Sequence, residues 1–329
     1  MEQRPLGATG LTVSALGYGS GSIGGLFVRG ARDEQRRAVA RAIEAGITYF
    51  DTAPQYGDGR SEENLGRVLR ELDAWGRVVV GTKVRLDDAG RDDAPAAIAR
   101  SLEASLRRLG RDHVDLLQLH NPIVADATPG GASSGAVGLA FVRDGIGEGL
   151  RLVKARGLAR HIGFTGLGAT DALRAAVAGG LETVQAYFNA VNPSAGFPGA
   201  AGGEQDFGGL IDVAAAAGMG VIAIRVLAAG ALAARPERHP NAGDPSHPLI
   251  QGAGYDRDLE RAAELQTLAT EAELDGPVEL AVRFALGKPG VSTVLVGFSD
   301  VAQLEDVVRW AERGPLPAAQ MQRIVDAAC

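Results

Sequence analysis

The sequence predicts an α/β protein: a (β/α)8 TIM barrel with an N-terminal β-hairpin and long loops at the C-terminal face, built as one domain over residues 1–329. Three observations carry this. Short apolar runs alternate with amphipathic helical patterns along the whole chain. Several of the runs are almost entirely apolar, such as Val78-Val79-Val80 and Val294-Leu295-Val296, as strands covered on both faces by helices must be. The length of 329 residues suits such a barrel, which takes about 250 residues plus insertions. A doubly wound open sheet also satisfies the alternation taken alone.

Taken in order, the segment from Pro5 to Val13, with Gly7-Ala8-Thr9-Gly10 inside it, reads as a small hairpin. Eight strands follow: Ala15–Gly19, Ile47–Asp51, Val78–Lys83, Asp115–His120, His161–Thr165, Thr183–Tyr187, Gly220–Arg225 and Thr293–Val296. Between them, Ile98, Leu102, Leu106 and Leu109 recur at helical spacing, and Gly110 stands where a helix closes. Asp33 is positioned to cap a helix carrying Val39 and Ile43 that Gly46 ends. Ser299 or Asp300 can cap one carrying Leu304, Val307 and Val308. The stretches Gly130–Gly138, Gly196–Gly203 and Ala228–Gly254 are rich in small residues and read as long loops on one scaffold.

Bulk composition narrows the partners. A net charge of −7 disfavours nucleic acid and anionic membrane, both of which want a basic face. No run of about 20 apolar residues is present, so no membrane span is expected. The start, Met1-Glu2-Gln3-Arg4-Pro5, lacks the apolar segment of a signal peptide, and cytoplasmic residence is the expectation. The one cysteine, Cys329, ends the chain, so neither an internal disulfide nor a cysteine metal cluster is expected, and no metal site is assigned. Oligomeric state is not readable from these features.

Barrel enzymes carry their chemistry at the carboxyl ends of the strands, which directs attention to Gly19-Ser20, Asp51, Lys83, His120, Thr165, Tyr187 and Arg225. Singly, each has an ordinary explanation: Asp51 opens a turn, Tyr56 packs in a Pro/Gly loop, Lys83 is solvated, His120 is hydrogen-bonded. Together they form one device. Reducing a carbonyl needs a hydride on carbon and a proton on oxygen. A tyrosine, with an unperturbed pKa of about 10, is a reluctant partner for that proton. A neighbouring ammonium favours its phenolate, a carboxylate holds the ammonium, and an imidazole orients the substrate oxygen.

Asp51, Tyr56, Lys83 and His120, in the contexts Phe50-Asp51-Thr52-Ala53-Pro54-Gln55-Tyr56-Gly57, Gly81-Thr82-Lys83-Val84 and Leu119-His120-Asn121-Pro122, resemble the catalytic tetrad of the aldo-keto reductases. Aldose dehydrogenases and potassium-channel β subunits are among the branches resembled. The resemblance runs from Leu16-Gly17-Tyr18-Gly19-Ser20 to Leu304-Glu305-Asp306. It implies a hydride transfer between nicotinamide and an aldehyde, ketone or sugar, with NADP(H) or NAD(H) as cofactor and NADP(H) slightly ahead. Tyr56 becomes the general acid, Lys83 its pKa-lowering partner, Asp51 the counter-charge and His120 the orienting residue. Thr165 and Gln185 match positions that hold the nicotinamide carboxamide, although Gly166 replaces an expected asparagine. Gly19, Ser20 and Leu227 fall against the cofactor on the same alignment of motifs. Gly297, Ser299 and Gln303 reproduce a Gly-x-Ser…Gln version of the adenosine-phosphate segment, with Asp306 matching an adenine contact and Val307 replacing an asparagine.

Two departures stand out. Ile224 occupies the place of a tyrosine that stacks on nicotinamide, and Arg225 beside it is positioned for a cofactor phosphate. The basic residues that commonly bind a 2′-phosphate are missing, leaving Arg235 or Arg238 to supply that charge. On the substrate side, Asn121 and Gly21 replace tryptophans, which points to an open, polar pocket and a sugar-like substrate. Phe27, Phe197 and Tyr255 are placed at the mouth as a partial apolar wall. Two other functions satisfy the same residues: an aldose 1-dehydrogenase working in the oxidative direction, and a redox-sensing partner protein that binds cofactor without turnover.

Overall fold

The computed structural model describes residues 1–127, 135–233, 237–245 and 254–329. Strands β1 (Gln3–Pro5) and β2 (Thr12–Ser14) form the expected antiparallel hairpin, pairing Gln3 with Ser14 and Pro5 with Thr12. The barrel consists of β3 (Leu16–Gly19), β4 (Tyr49–Asp51), β5 (Val79–Val84), β6 (Val114–Leu119), β9 (Ala159–Thr165), β10 (Thr183–Tyr187), β11 (Gly220–Ile224) and β12 (Thr293–Gly297). These eight pair in parallel and close, β12 returning to β3, so the open-sheet alternative is excluded. A two-stranded piece, β7 (Ile123–Val124) with β8 (Val137–Gly138), lies in the loop after β6.

Around the barrel run α1 (Leu26–Arg29), α2 (Arg32–Glu44), α3 (Arg60–Glu71), α4 (Ala94–Leu109), α5 (Leu139–Phe141), α6 (Gly147–Ala155), α7 (Thr170–Ala176), α8 (Leu210–Ala216), α9 (Tyr255–Glu271), α10 (Pro277–Leu286), α11 (Val301–Glu312) and α12 (Ala318–Ala327). Helix ends follow local chemistry. Asp93 Oδ1 accepts from Ala96 N at 3.1 Å, Pro95 sits in the first turn, and Gly110 closes α4 at φ 69°. Asp300 caps α11 by accepting from Gln303 N at 2.7 Å. The cap expected of Asp33 is not made: Gly30 and Ala31 stay extended and α2 begins at Arg32. Asp33 lies in the first turn instead, where its charge still complements the helix dipole. Among the described residues, no helix is long and apolar enough to cross a membrane.

The core has two compartments. The larger lies between strands and helices; Val39, Leu65, Ile98, Leu102, Leu173 and Leu304 are buried there. The smaller fills the barrel interior with Tyr49, Leu116, Ile222 and Ile224, and the hairpin adds Leu6 and Val13 to it. The hairpin therefore closes the end opposite the strand carboxyl termini. Side chains alternate along each strand, so Tyr49 and Asp51 share the inner face of β4, with Asp51 above. Room for the Tyr49 ring comes from two glycines. A Cβ on Gly17 would lie 2.9 Å from Tyr49 Cδ1, and one on Gly81 would lie 2.8 Å from Tyr49 Oη.

Candidate functional site

Lys83 projects from the inner face near the top of β5, with its side chain 1% exposed. An ammonium so buried must be paired and hydrogen-bonded. Its Nζ donates to Asp51 Oδ1, to Thr52 O at 2.9 Å and to Tyr56 Oη at 3.2 Å, which engages all three donors. The other Asp51 oxygen, Oδ2, accepts from Gln185 Nε2 at 2.6 Å and from Tyr49 Oη at 3.2 Å. Thr165 Oγ1 donates to Gln185 Oε1 at 3.2 Å. One hydrogen-bonded chain thus runs from Thr165 through Gln185, Asp51 and Lys83 to Tyr56.

His120 stands on the other side of Tyr56, its ring edge-on with centroids 6.1 Å apart. Its Nδ1 lies 3.3 Å from Gln55 Oε1. With the amide oxygen as acceptor, Nδ1 bears the proton and Nε2 is left as an acceptor.

The electrostatics refine the expected division of labour. Burial pushes the Tyr56 phenol up, the Lys83 ammonium pulls it down and the Asp51 carboxylate pushes it up again; the net direction is upward. Lys83 lowers the tyrosine, as expected of it, through its charge and its hydrogen bond, but the desolvation of a buried phenolate outweighs one paired cation. Burial pulls Lys83 down, but Asp51 and Tyr56 more than offset it, so the ammonium holds its proton above the usual lysine range. Burial, followed by the charges of Lys83 and Arg85, pulls His120 down to about 3, so its imidazole is neutral near pH 7.

The four residues singled out from sequence therefore meet, and Thr165 and Gln185 join them. Gly19 pairs with Gly297 in the barrel register at the mouth. Ser20 Oγ donates to Asp51 O at 2.6 Å, fixing the backbone of the carboxylate. Arg225 directly follows β11 at φ 61°, a left-handed conformation uncommon for a residue with a side chain. Its guanidinium Nε is buried without a partner among the described residues, and its charge reaches Tyr56. Ile224 faces the barrel interior, and Leu227 packs on the outer core. Ser299 Oγ donates to Gly24 O at 2.7 Å, while Gln303 Oε1 accepts from Ser299 N at 2.9 Å, so this pair also shapes the start of α11. Asp306 pairs with Arg309 at 2.9 Å. Arg238 donates to Ala229 O, Gly243 O and Tyr255 Oη; Arg235 lies outside the described residues.

Three substrate-wall expectations are corrected. Phe27 is 1% exposed and packs edge-on against Tyr18, centroids 5.7 Å apart, because α1 turns it under the loop. Phe197 lies in the helical layer on Phe188 and Phe284, with Lys288 Nζ 5.1 Å from its ring. Asn121 is fully buried: its amide accepts from Leu86 N at 2.9 Å and donates to Leu86 O at 2.8 Å and Gly135 O at 2.7 Å. It fixes a loop and has no amide hydrogen left for a substrate. Sequence reasoning passed over Tyr49 and Gln55. Tyr49 was legible from strand alternation, two residues before Asp51; Gln55 carried no signal beyond its neighbour.

A buried ammonium donating to a phenol at the mouth of an α/β barrel defines a proton-transfer site of the carbonyl-oxidoreductase class. The Aldo/keto reductase family profile matches residues 15–328, and the chain belongs to that family. It is accordingly an NAD(P)-dependent oxidoreductase that moves a hydride between nicotinamide and a carbonyl or alcohol carbon. L-galactose dehydrogenase of Arabidopsis thaliana is 30% identical over 320 residues, covering 94% of this chain and 87% of the relative. D-threo-aldose 1-dehydrogenase of a Pseudomonas species is 36% identical over 52% of this chain and 55% of its own length. The aldo-keto reductase AKR11C1 from Bacillus halodurans has the same fold, with a TM-score of 0.73 at 24% identity, covering 100% of this chain and 97% of that one.

Proposed function

We propose that this enzyme interconverts an aldose, or a similar polar carbonyl compound, with its oxidised or reduced partner, using Tyr56 as the group that exchanges a proton with the substrate oxygen. The observation that carries the reading is the buried Lys83 ammonium, shared between Asp51 and the Tyr56 hydroxyl. When bound, the nicotinamide supplies or accepts the hydride. In reduction, the Tyr56 proton passes to the carbonyl oxygen, and the phenolate left behind is stabilised by Lys83, already in place at 3.2 Å. In oxidation the same phenolate takes the proton back. Neutral His120, its Nδ1 proton engaged by Gln55, presents Nε2 as an acceptor for a substrate hydroxyl.

The residues present suit a nicotinamide dinucleotide. Gln185 and Thr165 offer an amide and a hydroxyl for a carboxamide, and the orphaned Arg225 Nε is a donor awaiting an anion. For a 2′-phosphate the described residues supply less: Arg238 is engaged by carbonyl oxygens and Arg309 by Asp306. We infer that NAD(H) is accepted alongside NADP(H). The oxidative direction draws support from the relatives, which carry the names of dehydrogenases of L-galactose and D-threo-aldoses.

The test is Tyr56→Phe, followed through the absorbance of reduced nicotinamide with aldoses and simple aldehydes. Turnover falls by about 10²–10⁴-fold while dinucleotide affinity is retained. A variant with full activity would remove Tyr56 from the chemistry. Fluorescence titration with NADH and NADPH checks the cofactor inference, which fails if only one of them binds.

A further inference from the structure

One residue away from His120 lies a cavity of about 330 Å³, lined by Gln55, Arg85, Leu86, Asp87, Asp88 and Gly135. Gln55 joins it to the site, since the same side chain reaches His120 Nδ1 at 3.3 Å. Arg85 lies two residues beyond Lys83, and its charge is among those acting on His120. The walls are held in place. Asn121 clamps both backbone groups of Leu86 and the carbonyl of Gly135. Asp87 Oδ1 accepts from Gly90 N at 2.8 Å, Asp88 pairs with Arg91 at 3.2 Å, and Arg91 donates to Ala136 O at 2.8 Å. Arg85 is exposed to the cavity and has no ion-pair partner among the described residues.

The lining selects by chemistry. It holds a guanidinium and an amide that donate, together with two carboxylates and an amide oxygen that accept. No aromatic ring is among the described lining residues, so a flat aromatic substrate gains no stacking from them. The Arg85 and Arg91 charges balance those of Asp87 and Asp88, so a carboxylate or phosphate gains no net attraction. Groups that both donate and accept suit such a wall, and vicinal hydroxyls are the simplest of them.

We propose that this cavity is the subsite for the hydroxyl groups of a polyhydroxylated substrate, with Arg85 as its specificity-determining residue. The proposal rests on the reading that Tyr56 holds the reacting carbon's oxygen, with His120 Nε2 accepting from a neighbouring hydroxyl. From there, the hydroxyls on the following carbons extend past Gln55 toward Arg85, Asp87 and Asp88. Asn121 contributes indirectly, by fixing the Leu86 backbone that forms the cavity's apolar side.

The test is Arg85→Ala, measured on a five-carbon aldose and on pentanal with the same dinucleotide. Loss of one charge-assisted hydrogen bond lowers the aldose-to-pentanal ratio of kcat/KM by about tenfold or more, mainly through KM of the aldose. An unchanged ratio overturns the proposal. A uronic acid or aldose phosphate losing far more than the neutral aldose also overturns it, and makes the cavity an anion site. The underlying reading is checked separately by wild type and Tyr56→Phe on pentanal. If those two turn over pentanal alike, that reading fails and takes this one with it, whereas a pentanal rate lost in Tyr56→Phe leaves the Arg85 ratio as the deciding number.

Discussion

Removing the Tyr49 hydroxyl probes how the carboxylate beneath the site is held. Tyr49→Phe deletes the 3.2 Å bond to Asp51 Oδ2 but leaves the ring in its slot between Gly17 and Gly81. Hydrogen bonds to charged groups contribute about 1.5–3 kcal/mol; with Gln185 still donating to the same oxygen at 2.6 Å, the low end applies, about 1.5 kcal/mol. Gly81→Ala attacks the same contact from the other side. Its Cβ would come within 2.8 Å of Tyr49 Oη, an overpacking that costs about 2 kcal/mol. In the double variant the offending oxygen is gone, and the next ring atom lies 3.5 Å away, an ordinary contact. The pair should therefore cost about 1.5 kcal/mol, the lost hydrogen bond alone, rather than the sum of about 3.5, a coupling near 2 kcal/mol. Urea unfolding of the four proteins measures it. Additivity within about 0.5 kcal/mol would refute the idea that Gly81 is small in order to admit the Tyr49 hydroxyl.

Other outcomes follow from the same geometry. Asp258 is pushed up to about 6 by burial and by the Glu204 charge. Its folded pKa lies above the unfolded value of about 3.9, so the native state binds the proton more tightly and stability falls as pH rises between about 4 and 6. Asp258→Asn should then stabilise by about 1–2 kcal/mol at pH 7, after discounting for solvent screening, and not at all below about pH 4; an equal gain at both pH values sinks the assignment. With His120 down at about 3, kcat/KM should show no histidine limb between about pH 5 and 8. A limb in that window that disappears in His120→Gln would contradict it. Arg225→Ala should weaken dinucleotide binding about tenfold in a fluorescence titration, and unchanged affinity would leave its buried Nε unexplained.

Much of this was legible in the residues because the barrel's logic is periodic. Thr183–Tyr187 emerges at the bounds expected of it, and the other seven strands differ by a few residues at their ends. Asp51, Lys83 and His120 were visible because each ends or follows an apolar run, where alternation and strand direction fix the side chain's destination. Loops obey no such rule. Phe27 was placed at the mouth because nothing in its neighbours reveals that α1 folds it under Tyr18. Asn121 follows the catalytic histidine in sequence, yet the unpaired backbone of Leu86 claims its amide. The sign of the Tyr56 shift was equally beyond reach, since it depends on how deeply the phenol is buried.

The poverty of ammonium groups in this chain has a practical consequence. Its only lysines are Lys83, Lys154 and Lys288. Lys83 is sealed in with every donor engaged, and Lys288 is 8% exposed and tied to Asp212. Lys154 is 40% exposed at the end of α6, just before β9 enters the barrel from below. An amine-reactive surface or dye would therefore take hold of the molecule from underneath, and every tethered copy would present its working face outward.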